Sequence, residues 1–119
     1  MPSLLIVENE ETYRQFLSMA LEMAGYHVHS VGSGEEAIET LQNSCPDLVL
    51  LDLAMPHVSG WDVLRFMQEY AKLKHIPVLV ITASADEHTR RRVLVERVSG
   101  LLVKPVSLDE ILAAVERLV

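Results

Sequence analysis

The 119-residue chain has a single cysteine, Cys45, so no internal disulfide can staple it, and a reducing compartment is the simplest setting. Positive charge is scarce: 10 Lys and Arg stand against 17 Asp and Glu, a net charge of −7. A nucleic-acid surface needs clustered cations against phosphate, so direct nucleic-acid contact is disfavoured. Long hydrophobic runs are also missing. The longest apolar stretches are four or five residues, against the ~20 of a bilayer span, and no basic stretch followed by an apolar block marks an export signal. Neither G-x-G-x-x-G nor G-x-x-x-x-G-K occurs, which disfavours dinucleotides and nucleoside triphosphates. Nothing reads as a repeat, linker or low-complexity tract. With 50% apolar residues, the chain can bury a real core, and one cytoplasmic domain over residues 1–119 is expected.

Against these absences stands a strict alternation. Short β-rich runs occur at Leu4–Val7, Tyr26–Val31, Leu48–Leu51, Val78–Ile81 and Leu101–Val103. Four of the five are continuously apolar, as strands buried on both faces of a parallel sheet require. The second alternates, His27-Val28-His29-Ser30, which predicts an edge. Between the runs lie segments of helical period. Tyr13, Phe16, Leu17, Ala20, Leu21 and Ala24 form one apolar stripe ended by Gly25. Ser33 with Glu36, and Ser107 with Glu110, have capping-box spacing. Ser59 is placed to cap a third helix carrying Val63, Leu64, Phe66, Met67 and Tyr70, and a polar fourth helix spans about Asp86 to Arg97. Five β-α units predict an α/β domain with a doubly wound, five-stranded parallel sheet and right-handed crossovers.

In such folds function gathers outside the carboxyl ends of the strands. The first strand is followed by Glu8-Asn9-Glu10, the third by Asp52 and Leu53-Ala54-Met55-Pro56, the fourth by Thr82-Ala83-Ser84 and the fifth by Lys104-Pro105. Carboxylates crowded on one rim repel unless a cation joins them, and their hard oxygens suit Mg²⁺. A lysine and a hydroxyl beside that ion would complete a phosphoryl cradle, with Asp52 as nucleophile.

The chain resembles a bacterial response-regulator receiver domain over essentially its whole length. The resemblance rests on Leu5-Ile6-Val7-Glu8-Asn9-Glu10, on Pro46 to Pro56 with Gly60, on Thr82-Ala83 and on Lys104-Pro105, all in order. It implies flavodoxin-like strand order 2-1-3-4-5 and Mg²⁺-dependent phosphorylation of Asp52 by a histidine kinase or phosphotransfer protein. It further implies contacts of Thr82 and Lys104 with the phosphoryl oxygens, the Ala54 backbone carbonyl as a metal ligand beside Glu8, Asn9 and Asp52, and a cis Lys104-Pro105 bond. Such a domain modifies only its own aspartate and is not otherwise an enzyme.

Three positions depart from the family pattern. Asn9 stands where the second acid usually binds the metal, and an amide oxygen brings no charge, so weaker Mg²⁺ binding and slower phosphorylation are expected. Compensation by Glu10 is the less favoured reading. Leu101 replaces the usual ring three residues before the lysine, leaving Thr82 as half of the switch pair. Arg97-Val98 replaces a Gly-Ala at the end of the fourth helix, and a left-handed cap without glycine costs about 1 kcal/mol. These departures motivate an alternative: a receiver-like interaction module with weak or no phosphorylation.

Other side chains carry blander readings. His27 and His29 share one strand face but lack a third metal ligand. Cys45 reads as a small apolar filler. Arg90-Arg91-Arg92 reads as a solvated helix face, with a homodimer pairing it to Asp109 or Glu116 as the competing view. Met19, Met23 and Met67 pack or face solvent. Small-ligand binding on a flavodoxin-like fold is the least favoured class, because Glu8-Asn9-Glu10 would repel an anion without a metal. No effector segment follows the fifth helix, so either a stand-alone receiver or a piece of a longer regulator or hybrid kinase fits.

Overall fold

A computed structural model describes residues 1–96 and 98–119. The elements run β1 (Ser3–Val7), α1 (Glu11–Met23), β2 (His27–Val31), α2 (Gly34–Asn43), β3 (Leu48–Leu51), α3 (Gly60–Gln68), β4 (Val78–Thr82), α4 (Glu87–Val95), β5 (Gly100–Val103) and α5 (Leu108–Leu118). All pairings are parallel and the sheet order is β2-β1-β3-β4-β5.

Strand side chains alternate between the two faces of a sheet, and the apolar runs feed two cores. Leu4, Ile6, Leu48, Leu50, Leu79 and Ile81 meet Leu17 and Leu21 of α1 and Ile111, Ala114 and Val115 of α5. Leu5, Val7, Val49, Leu51, Val78 and Val80 meet α2, α3 and α4 through Leu41, Val63 and Val93. A fully buried Leu or Ile contributes roughly 1.5–3 kcal/mol by leaving water, so each continuous run serves both layers.

β2 lies at an edge, with His27 and His29 on its exposed face. β5 is the other edge. Its apolar run is only half-buried, and Val103 is 37% exposed, unlike the two-sided burial expected of it. The α1 stripe is likewise narrower than its period suggested. Leu17 and Leu21 are buried, whereas Phe16 is 47% exposed and stacks beside Tyr13.

Helix starts follow the capping residues. Ser107 and Glu110 form the full reciprocal box, and so do Ser59 and Asp62, where an aspartate returns the bond to the cap in place of the longer Glu. Ser33 accepts from the Glu36 N–H, but the Glu36 carboxylate takes the Ser33 hydroxyl and not its N–H, so that box is half formed. Gly25 adopts φ +102° after α1, the left-handed stop expected of it. α3 ends at Gln68, leaving Tyr70 beyond it with its ring 4.7 Å from Phe66. α4 starts at its Asp86 cap and ends at Val95; the departure predicted at Arg97 lies outside the described residues.

Cys45 is exposed, not a filler. It lines a groove of about 540 Å³ with His27, Thr40 and Pro46 at the amino ends of the strands. The arginine run is a solvated face at Arg90 and Arg91 and departs from one at Arg92. Arg92 lies 4.1 Å from the Trp61 ring centroid, Arg91 pairs with Glu87, and Arg90 donates to the Ala85 carbonyl. Met67 is buried in the α2–α4 layer, while Met19 and Met23 face solvent. Among the described residues no helix is long and apolar enough to cross a membrane.

Candidate functional site

The parallel ladders continue one residue past β1, β3 and β5. Glu8 N–H donates to the Val31 carbonyl at 3.1 Å, Asp52 N–H to Val7 at 3.0 Å and Lys104 N–H to Thr82 at 2.8 Å. Backbone pairing therefore delivers two acids and a cation to one carboxyl-end rim. Glu8 is 2% exposed, Asp52 6% and Thr82 2%, and they are the buried polar side chains among the described residues.

Burying two carboxylates side by side is costly unless each oxygen is satisfied. Lys104 Nζ donates to Glu8 Oε1 at 2.8 Å and sits 3.7 Å from Asp52 Oδ2. The remaining oxygens take backbone donors: Glu10 N–H reaches Glu8 Oε2 at 3.0 Å, and Ala54 N–H reaches Asp52 Oδ1 at 3.1 Å. The Arg14 guanidinium donates to the Glu8 main-chain carbonyl at 2.9 Å. Burial, then the adjacent Glu8 charge, pushes the Asp52 carboxyl above the ordinary aspartate value, against the pull of Lys104 and the Ala54 N–H. Burial alone would lower Lys104, but its hydrogen bond to Glu8 and the charges of Asp52 and Glu8 carry it above the ordinary lysine value.

Of the residues singled out from the sequence, Glu8, Asp52 and Lys104 are thus in mutual contact. Thr82 ends β4 beside them and its hydroxyl receives the Ser84 N–H at a long 3.5 Å. Asn9 and Ala54 are exposed on the neighbouring loops. The donors available to a cation are two carboxylates, one amide and one backbone carbonyl, an all-oxygen set that suits a hard ion such as Mg²⁺. Among the described residues no three His, Cys, Asp or Glu side chains group to hold a metal, and the residue after Glu8 is the uncharged Asn9. Glu10 is committed elsewhere. Its Oε2 accepts the Tyr13 N–H at 2.6 Å as the cap of α1.

Leu101 packs into the α2–α4 core, and the period of two along β4 puts Thr82 on the same sheet face as Val78 and Val80. The Lys104-Pro105 bond is cis. Two further residues shape the site. Gly60 backs directly onto the Asp52-Leu53 main chain. The ring of Tyr13 lies 4.7 Å from Lys104 Nζ. Tyr13 was legible only as a member of the α1 stripe, although the first turn after β1 must lie near the rim.

The fold and this rim define a signalling domain: residues 4–116 match the response regulator receiver domain, and the chain belongs to that family. It is 34% identical over 116 residues to the phosphate regulon transcriptional regulatory protein PhoB of Rhizobium meliloti, covering 98% of this chain and 51% of that protein. The polar-differentiation response regulator DivK of Brucella ovis is 30% identical over 114 residues, covering 96% of this chain and 93% of DivK. The chemotaxis protein CheY4 of Vibrio cholerae superposes with a TM-score of 0.94 over 100% of this chain and 99% of that one, at 26% identity. The chain thus spans about half the length of the first relative and nearly all of the second.

Proposed function

We propose that this receiver accepts a phosphoryl group on Asp52, with Mg²⁺, from a histidine kinase or phosphotransfer protein in the cytoplasm, and that the modified form binds its partners differently. The observation that carries this reading is the Asp52 carboxylate at the carboxyl ends of the strands, in reach of Lys104 and beside Glu8. One Asp52 oxygen attacks phosphorus, an acyl-phosphate P–O bond forms, and the donor departs with the electron pair of its broken bond to phosphorus. The Ala54 N–H fixes the plane of the attacking carboxylate. Lys104, already between the two acids, turns one N–H to a phosphoryl oxygen, and the Thr82 hydroxyl takes another. Glu8, Asn9, Asp52 and the Ala54 carbonyl would hold Mg²⁺, which when bound supplies positive charge against the carboxylates and the phosphoryl oxygens. The transfer is self-catalysed and modifies the chain itself, so no separate substrate is turned over.

Intact-mass measurement after incubation with a small acyl-phosphate donor, with and without Mg²⁺, tests the reading. Wild type should gain one phosphoryl group only with Mg²⁺, and Asp52→Asn should gain none. No gain in folded wild type at high Mg²⁺ would overturn it in favour of an interaction module.

A further inference from the structure

We propose that Tyr13 is a positioning residue for Lys104: its ring closes a circuit of contacts that holds the ammonium between Glu8 and Asp52. The functional consequence rests on the phosphoacceptor reading above; the positioning itself does not. The circuit can be followed atom by atom. Glu8 Oε2 receives the Glu10 N–H at 3.0 Å, and the Glu10 carboxylate receives the Tyr13 N–H at 2.6 Å. The Tyr13 ring faces Lys104 Nζ at 4.7 Å, and Nζ returns to Glu8 Oε1 at 2.8 Å.

The ring itself makes this contact, because the Tyr13 hydroxyl is buried and makes no hydrogen bond. The ring is instead held by the helix cap at its own N–H and by Phe16, whose centroid is 6.2 Å away. An ammonium near an aromatic ring is attracted by the negative charge of the ring face, more strongly where water is partly excluded. The Lys104 side chain is 24% exposed, so the ring adds a third contact, beside Glu8 and Asp52, to a flexible four-carbon stem that solvent still reaches. Asn9 gives this device a particular value. With one acid fewer on the rim, Lys104 has one electrostatic anchor fewer, and the ring supplies attraction without adding charge.

The test uses the full chain with Tyr13→Phe and Tyr13→Leu. Nuclear magnetic resonance of the Lys104 Hε protons reads the ring current, and the rate of phosphoryl gain from the acyl-phosphate donor reads the consequence. Tyr13→Phe should keep both within about two-fold of wild type. Tyr13→Leu should lose the ring-current displacement and slow phosphorylation by about three- to ten-fold, at the scale of one partly desolvated cation–π contact. In a Lys104→Ala background the same Leu substitution should add nothing, as two residues acting through one contact require. Unmoved Hε resonances in folded Tyr13→Leu, or a Tyr13→Phe as impaired as Tyr13→Leu, would overturn the positioning role. If wild type gains no phosphoryl group while Tyr13→Leu also merges the two inequivalent Lys104 Hε resonances into one averaged signal, as a freed side chain requires, the phosphoacceptor reading fails and the positioning role stands.

Discussion

A methyl group at Gly60 would lie 2.6 Å from Leu53 Cα and closer still to the Asp52 carbonyl oxygen. Neither neighbour is a flexible side-chain end, so Gly60→Ala must push the Asp52 loop off its position. A loss of about 1–3 kcal/mol in urea unfolding is expected, the usual scale of overpacking, with slower phosphorylation alongside it. Asn9 is the opposite case, an exposed loop residue whose expected effect is on charge and not on packing. Asn9→Asp should tighten Mg²⁺ binding by roughly ten-fold, equivalent to about 1.4 kcal/mol, in calorimetric titration; unchanged affinity would remove the explanation offered for that position. At this scale the sequence showed Glu8, Asp52 and Lys104 plainly, because strand ends in a doubly wound sheet converge on one rim. Glu10 and Tyr13 were not legible there. Their roles come from one helix cap and one ring face, geometry that neither residue type nor spacing fixes.

Among the elements, α4 has the thinnest anchorage, since Val93 is its buried residue and Leu94 and Val95 stand about four-fifths exposed. What holds its first turn is Asp86, whose carboxylate accepts the Thr89 N–H at 2.8 Å. That bond, with the Thr89 hydroxyl, keeps Asp86 below the ordinary aspartate value. A lowered folded value means the cap stabilises fully above the unfolded value of about 3.9 and is lost as pH falls through the folded one. Protection of the amides from Thr89 to Arg92, measured relative to their intrinsic exchange at each pH, should therefore fall at acid pH in wild type, and at neutral pH in Asp86→Ala. α5 is better built: Ser107→Ala, which breaks a complete capping box, should cost about 1 kcal/mol in thermal unfolding. Element type and order were legible throughout, because the apolar runs and caps are local signals. The half-burial of β5 was not, since a run of Leu and Val looks the same whether its outer face meets a helix or water.

At the scale of the molecule, one five-stranded sheet divides two apolar layers that share strands but not helices. Leu21 belongs to the α1–α5 layer and Leu41 to the other, each with no accessible surface. Leu21→Ala and Leu41→Ala should each cost about 2–5 kcal/mol, and the pair should sum to within about 0.5 kcal/mol because they share no partner across the sheet. A sum of that size approaches the whole stability of an ordinary domain, so the double variant should be largely unfolded by circular dichroism at 37 °C, whereas each single variant folds. Two unique side chains lie toward opposite ends of the strands. Trp61, the one tryptophan, follows Gly60 behind the Asp52 loop, and Cys45, the one thiol, stands exposed at the amino ends of the strands. An acceptor dye coupled to Cys45 therefore makes a native energy-transfer pair with the indole, leaving every rim residue untouched. Any displacement of α3 that follows modification of Asp52 would then be read as a change in donor lifetime.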